Sequence, residues 1–463
     1  MTANQEEQQV KGPISQQDAP PSSTNANHPH IHPPDTLKAW IIVCSSMGIQ
    51  FFVIGNLFTY SVMMPAFLED FPNASYTQIS AIGTTELAMF FLFGLVAGPL
   101  SDKLGPRVVI FIGSLIWFTG YISTSYAQTF GELMFTYAIL TGIGTSFCYW
   151  SIISIIPQWF VKRRALGTGI ALLGGQVGQL VYGFGFAPLL TAQQWRGTFR
   201  ILAGVALAVF LICLLPLERR FKRKHHKVNI RASVYELFHD PSYVSLLFAA
   251  FFLQFGLFVP VDQIVPYSLS KGLSYAEASN IIGIMGATTL VGRVFFSVCS
   301  AKTGGLRMFQ FIFWSLAILL FGWLGCTDFS SIAAFGSLLG WLLGGFFTVM
   351  VLVASELWGV ERLGVVMGFM TLVMVPGAAS AGVIAGALYD TYNSFTPVIL
   401  YSASVITLAA LFTLGMRKTK KGGKRPTLIS AKSSKNNEQE QTHSSASISG
   451  TINGKKNSAL EIN

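Results

Sequence analysis

Charge is what this chain has least of: 11% of its 463 residues are Asp, Glu, Lys or Arg, against 51% apolar and 13% aromatic. That is too little polar surface to clothe a soluble globule of this size, so the solvent it implies is a bilayer. Cysteine is equally sparse. Cys44, Cys148, Cys213, Cys299 and Cys326 are scattered without CxxC or paired spacing, which excludes a disulfide framework and a zinc ribbon. The first 35 residues contain no apolar run, so a cleavable signal peptide is not expected. No histidine falls inside a long apolar run, and the alternating His28, His30 and His32 sit in a polar tail, where solvation is a commoner fate than a metal. No His/Asp/Glu cluster and no nucleophile with a neighbouring base stand out, which argues against an enzyme and against a metal or other cofactor. The formal net charge of +10 suggests nucleic acid only until the basic residues are located. They fall in short loops between apolar runs and in the last tail, a distribution that membrane orientation explains better.

What the chain does have is long apolar runs, twelve of them, at about 39–64, 78–100, 108–126, 133–156, 166–190, 197–217, 243–269, 276–300, 308–325, 332–354, 365–388 and 395–416. Each approaches the ~20 residues a helix needs to cross a ~30 Å hydrocarbon layer. One long hydrophilic break, Glu218 to Asp240, divides them six and six. The reading is an all-α membrane protein of twelve transmembrane helices in two six-helix bundles. Its expected parts are a disordered tail over 1–37, bundles over 38–217 and 242–416, a basic linker over 218–241 and a second disordered tail over 417–463. Alternate loops, counting the linker, carry fifteen Lys and Arg, and the opposite set carries only Arg196 and Lys271. By the positive-inside rule the linker and both tails face the cytoplasm, most simply across the plasma membrane. The sequon at Asn73 then lies outside, where it is a candidate for glycosylation.

The halves repeat. Ser101, Lys103 and Gly105 match Ser300, Lys302 and Gly304, and Trp159, Val161, Arg163, Gly169 and Gly178 match Trp358, Val360, Arg362, Gly368 and Gly377, all 199 residues apart. Two sites in one register favour duplication of a six-helix unit, a layout in which a central site opens to either side in turn.

Two stretches carry a resemblance. GPLSDKLGPR, from Gly98 to Arg107, is similar to the loop between the second and third helices of the major facilitator superfamily, with Gly98, Asp102, Gly105 and Arg107 at the motif positions. WFVKRRALGTGIALLGG, from Trp159 to Gly175, resembles the fifth-helix signature of the monocarboxylate transporter family. The resemblance implies the major facilitator fold and carriage of a small organic anion, with protons as a second passenger or a second anion in exchange. It assigns gating to Gly98, Asp102, Gly105, Arg107 and to Lys162, Arg163 and Arg164. The family's first-helix signature is absent from 39–64 and its eighth-helix acid is replaced by Thr289, which weighs against proton-linked lactate or pyruvate transport. Gly167, Ala171, Gly174 and Gly178 form a bare stripe on one helix face that admits a close neighbour; no P-loop Lys-Ser/Thr follows, so a phosphate cradle is not expected.

Polar residues inside the runs are the candidates for a site. Arg293 sits within the eighth run, where an unpaired cation costs ~2.5–3.5 kcal/mol at full depth. It corresponds to the monocarboxylate family's eighth-helix arginine, and a guanidinium matches a carboxylate with two parallel donors. The competing reading is a side chain snorkelling to the interface. Glu86 and Asp262 are the carboxyl groups within runs and hence the candidate proton carriers; Pro260 and Pro266 beside Asp262 also suggest a helix broken there by water. Gln50, Gln176, Gln179 and Gln254 near mid-membrane and Asn56 further out are candidate substrate contacts, although inter-helix hydrogen bonds are the commoner use of such amides. The expected partners are a small organic anion, protons and the lipid bilayer, with no nucleic acid; no accessory membrane protein is named by the sequence. A non-transporting sensor or scaffold on the same fold, and a facilitator of a neutral solute, are the rival functions.

Overall fold

The computed structural model describes residues 36–160, 164–218, 235–359 and 363–416. The two tails through residue 35 and from 417, most of the linker, Lys162 and Arg163 lie outside the described residues, and Arg164 is placed only as the first residue of a helix. Among the described residues the chain forms helices and no strand. The helices are α1 (Leu37–Leu57), α2 (Tyr60–Asp70), α3 (Tyr76–Leu104), α4 (Pro106–Thr124), α5 (Phe130–Leu133), a π-helical turn (Met134–Leu140), α6 (Thr141–Trp159), α7 (Arg164–Leu214), α8 (Pro241–Leu257), α9 (Val259–Ser270), α10 (Tyr275–Thr303), α11 (Gly305–Gly322), α12 (Phe329–Trp358), α13 (Leu363–Tyr392) and α14 (Thr396–Thr413). Eleven of the spans they make are long and apolar enough to cross a bilayer. The longest, α7, is two crossings joined at Gln194, whose φ of 55° breaks the helix, so the expected twelve crossings are recovered. The expected loop near 191–196 is instead this single turn.

The first and seventh crossings are each broken. At Thr59 the hydroxyl returns to the carbonyls of Gly55 and Asn56 (3.0 and 3.1 Å), satisfying acceptors that the interrupted ladder would strand in lipid. The seventh breaks at Phe258, two residues before Pro260, and Pro266 is carried inside α9.

The 199-residue register appears in the helix ends. α3 and α10 are both 29 residues long, and both open on a capping box, Ser75 with Gln78 and Ser274 with Glu277. Both stop at a glycine with positive φ, Gly105 at 93° and Gly304 at 91°, a conformation that needs the missing Cβ. α6 and α12 end on Trp159 and Trp358.

The first six crossings pack with one another, as do the last six, and the two sets meet chiefly along three pairs, α3 with α13, α7 with α10, and α2 with α9, with a smaller contact between α2 and α10. These contacts begin on the side away from the linker and, between α7 and α10, run as far as Leu172 and Arg293. A Cβ on Gly382 would strike the Ser80 carbonyl at 2.6 Å, and one on Gly183 the Gly283 nitrogen at 2.1 Å. Farther along the same helices and on nearly the same faces, fourteen residues from Gly183 and Gly382 and eighteen from Ser80, Gly169, Gly368 and Gly98 meet nothing within 4 Å. The two halves therefore diverge toward the face on which the linker lies, here called the linker face, and close at the opposite face.

Candidate functional site

Arg293 stands where the closed region ends. It projects from α10 across the interface to α7, where Nη1 donates to the Leu172 carbonyl at 3.4 Å. With the Gln176 amide oriented so that its nitrogen donates to the same carbonyl (2.7 Å), its oxygen accepts from Arg293 Nη2 at 3.2 Å. Nε is buried and has no protein partner. Arg293 makes no salt bridge among the described residues, and the Tyr149 hydroxyl of α6 lies within its electrostatic reach. The side chain thus neither snorkels along its own helix nor faces lipid. It is a half-buried cation at the head of the opening between the halves, with part of its donor fork unspent.

Glu86 lies elsewhere, in the middle of the first half. It is fully buried, and its Oε1 accepts from Asn56 Nδ2 (3.0 Å) and Thr141 Oγ1 (3.1 Å). Asn56 Oδ1 in turn accepts from Tyr121 (2.9 Å) and more weakly from Tyr137 (3.4 Å). Four crossings therefore converge on one carboxyl group. The π-helical turn Met134–Leu140 carries Tyr137 into place, a departure from α-geometry of the kind that accompanies functional sites. Glu86 Oε2 has no protein partner. Asn56, expected at the substrate, is committed to this carboxyl instead, because both ends of its amide are used inside the half.

Gln50 and Gln254 occupy corresponding places in the first and seventh crossings. Both are almost wholly buried, and neither nitrogen nor oxygen of either amide has a protein partner. Left dry, each such atom costs ~1–3 kcal/mol. Gln179 is buried on α7, one turn from Gln176 and about 60° around the helix from it.

Asp262 is 5% exposed on α9, within electrostatic reach of Tyr60, Tyr76 and Glu86. Its neighbour Gln263, which sequence reasoning passed over, closes the opposite face: Nε2 donates to Ser80 Oγ (2.7 Å) and Oε1 accepts from the Tyr76 hydroxyl. Tyr275 reaches the Val62 carbonyl, Ser279 Oγ donates to the Gly183 carbonyl (2.5 Å), and Tyr76 packs on Tyr389 at 4.2 Å between ring centres. Asp390 completes the closure. Its Oδ2 accepts from the Thr77 nitrogen (2.9 Å) and Thr77 Oγ1 (2.6 Å), laying a carboxylate from α13 on the positive N-terminus of α3. Asp390→Asn keeps the shape and removes the charge. It is expected to shift the closed population roughly two- to fivefold toward opening, read as a second, longer distance between spin labels at 72 and 393.

On the linker face, Gly105 makes the turn between α3 and α4 while Ser101 Oγ lies 3.2 Å from Ser154 Oγ. Asp102 is half-buried and Arg107 exposed. The second copy of this loop has Ala301 in place of Asp102, yet it does not lack an acid: Glu356 of α12 accepts from the Gly305 nitrogen at 3.0 Å, at the N-terminus of α11. Asn73 is exposed in the turn between α2 and α3. Among the described residues no group of His, Cys, Asp or Glu is placed to hold a metal.

The family model that matches residues 47–327 is that of the Major Facilitator Superfamily. The chain belongs to that superfamily. Its relatives include the MFS-type transporter pynF of Aspergillus niger, 25% identical over 86% of this chain and 93% of that one. The aspyridones efflux protein apdF of Emericella nidulans is 27% identical over 82% and 78%. Monocarboxylate transporter 2 of Mesocricetus auratus is 24% identical over 85% and 86%, in line with the resemblance carried by the fifth-helix stretch. Among solved structures, a D-xylose–proton symporter superposes with a TM-score of 0.65 at 17% identity, covering 82% of this chain and 98% of the other. A bacterial homologue of the lysosomal transporter Spinster, inward-facing and occupied, gives 0.64 at 16% identity over 83% and 98%; both establish the shared fold. This major facilitator protein is thus a multi-pass membrane transporter.

Proposed function

We propose that it carries a small organic anion by alternating access, with Arg293 as the group that binds the anion. The observation that supports this reading is a guanidinium at the head of the opening, without a carboxylate partner and with Nε unspent. A carboxylate supplies two acceptors to that fork and cancels the cost of a cation in a low-dielectric cleft. Gln176, already on the guanidinium, and Gln254, buried and unpartnered, are the amides suited to the rest of the molecule. Taking the linker face as cytoplasmic, from its excess of Lys and Arg, the conformation described is open to the cytoplasm, across the plasma membrane, with both termini inside. Asn73 then faces outward for glycosylation. Gly98, Asp102, Gly105 and Arg107, with Lys162, Arg163 and Arg164, are the parts that would close the linker face when the opposite face opens. Glu86 is the preferred proton carrier and Asp262 the alternative.

The test is competition in vesicles holding the purified protein. Carboxylic acids are expected to compete with one another for uptake while their primary amides do not, since an amide offers the fork one weak acceptor in place of two charged ones; equal competition by both would remove the anion reading. A second reading, export, draws on relatives named as efflux proteins. Under it, accumulation occurs in inside-out vesicles and not in right-side-out ones.

A further inference from the structure

Several buried, unpartnered polar atoms of the first half lie on α1 and α6, which pack together along a seam, and on α3 beside α6. Ser46 Oγ, both amide atoms of Gln50, Thr145 Oγ1 and Glu86 Oε2 all belong to this set. Their order along the seam is fixed by helix geometry. Thr145 lies one turn from Thr141, which holds Glu86, in the direction of the linker face. On α1, Gln50 and Ser46 lie six and ten residues from Asn56 in that same direction, about 9 and 15 Å along the axis, and share a face at i, i+4. Polar groups are rarely buried without partners, and a connected series of them is where proteins hold internal water.

We propose that this seam is a hydrated proton path inside the first half, leading from Glu86 toward the linker face and separate from the anion's route between the halves. The proposal rests on Glu86 being the proton carrier and adds the residues that supply it. A proton that reaches Ser46 passes between hydrogen-bonded waters held by Gln50 and Thr145, each O–H bond breaking as the next forms. It ends as an O–H bond on Glu86 Oε2, while Oε1 keeps its bond from Asn56, so the carboxylate becomes a neutral acid and no other group changes charge. The groups around that carboxyl are Asn56, Thr141, Tyr121 and Tyr137 of its own half, with Tyr60 of α2 and, across the interface, Asp262 of α9. None is a cation, and Asp262 is the sole second carboxyl among them. Gln50 thereby serves the proton instead of the substrate.

The path can be tested without a substrate. The infrared carbonyl band of protonated Glu86, assigned by its loss in Glu86→Gln, is followed in the purified protein after a switch from H2O to D2O. Thr145→Val fills the same volume without the hydroxyl and is expected to slow the deuterium shift of that band about tenfold. Ser46→Ala should slow it less, and Thr145→Ser should restore the wild-type rate. If no band disappears in Glu86→Gln, the assignment of Glu86 as carrier fails and the path with it. If the band is present but exchanges at the wild-type rate in Thr145→Val and Ser46→Ala, Glu86 stands and the seam is overturned, the proton arriving instead between the halves.

Discussion

Arg293→Ala is expected to lower saturable anion uptake by at least ~100-fold, because it removes two charge-assisted hydrogen bonds of ~1.5–3 kcal/mol each and ~1.4 kcal/mol is a factor of ten. Arg293→Lys keeps the charge but loses the planar fork, and should fall between. The amount of folded protein should change little, for a reason visible in the contacts. The Leu172 carbonyl that Arg293 approaches at 3.4 Å is also within 2.7 Å of the Gln176 nitrogen, so truncation strands no backbone acceptor. If the arginine served only to tie α7 to α10, its loss would affect carboxylates and neutral solutes alike and would lower thermal stability. A selective loss for carboxylates separates the two roles.

The second large effect concerns the closed face. A Cβ on Gly183 would lie 2.1 Å from the Gly283 nitrogen and 2.4 Å from its Cα, and backbone atoms cannot rotate aside as a side chain does. Gly183→Val is therefore expected to hold α7 and α10 apart at this face. Overpacking costs typically 1–3 kcal/mol and more against backbone, while ~5.5 kcal/mol carries a two-state population from 99:1 to 1:99. The variant should fold, because the clash is between halves that must separate during transport in any case, but it should stay open at the opposite face and transport at a few per cent of the normal rate. Cysteine accessibility at Ser80, buried in the closed form, is the check: it should rise in Gly183→Val. Gly178→Ala makes the contrast. Its Cβ would meet the Phe51 carbonyl at 2.1 Å, inside the first half, so the loss there should appear as less folded protein.

The architecture was legible because it is written in runs of residues. Twenty apolar positions between basic loops specify a crossing whatever its neighbours are, and the 199-residue register survives as matched caps and matched glycines. Pro260 announced the break in the seventh crossing. The equivalent break at Phe58 has no proline within reach, Pro65 being seven residues on, and it could not be read. The site divides the same way. Arg293 stands out because a lone cation in an apolar run is too costly to be incidental. That Asn56 belongs to Glu86, that Glu356 supplies the acid missing at Ala301, and that Gln263 and Asp390 close one face are facts about pairs 30, 55, 183 and 313 residues apart. Nothing in local composition marks such pairs; only the helix packing brings them together.

The proposed transport depends above all on an anion meeting the Arg293 guanidinium. Calorimetric titration of the purified transporter with a carboxylic acid and with its primary amide, repeated on Arg293→Gln, addresses that contact directly. The expected result is saturable binding of the acid to the wild-type protein, at least ~100-fold weaker binding of the amide, and an equally large loss of acid binding in Arg293→Gln. Acid bound by the variant as tightly as by the wild type, or amide bound as tightly as acid, would contradict a role for Arg293 as the anion's partner.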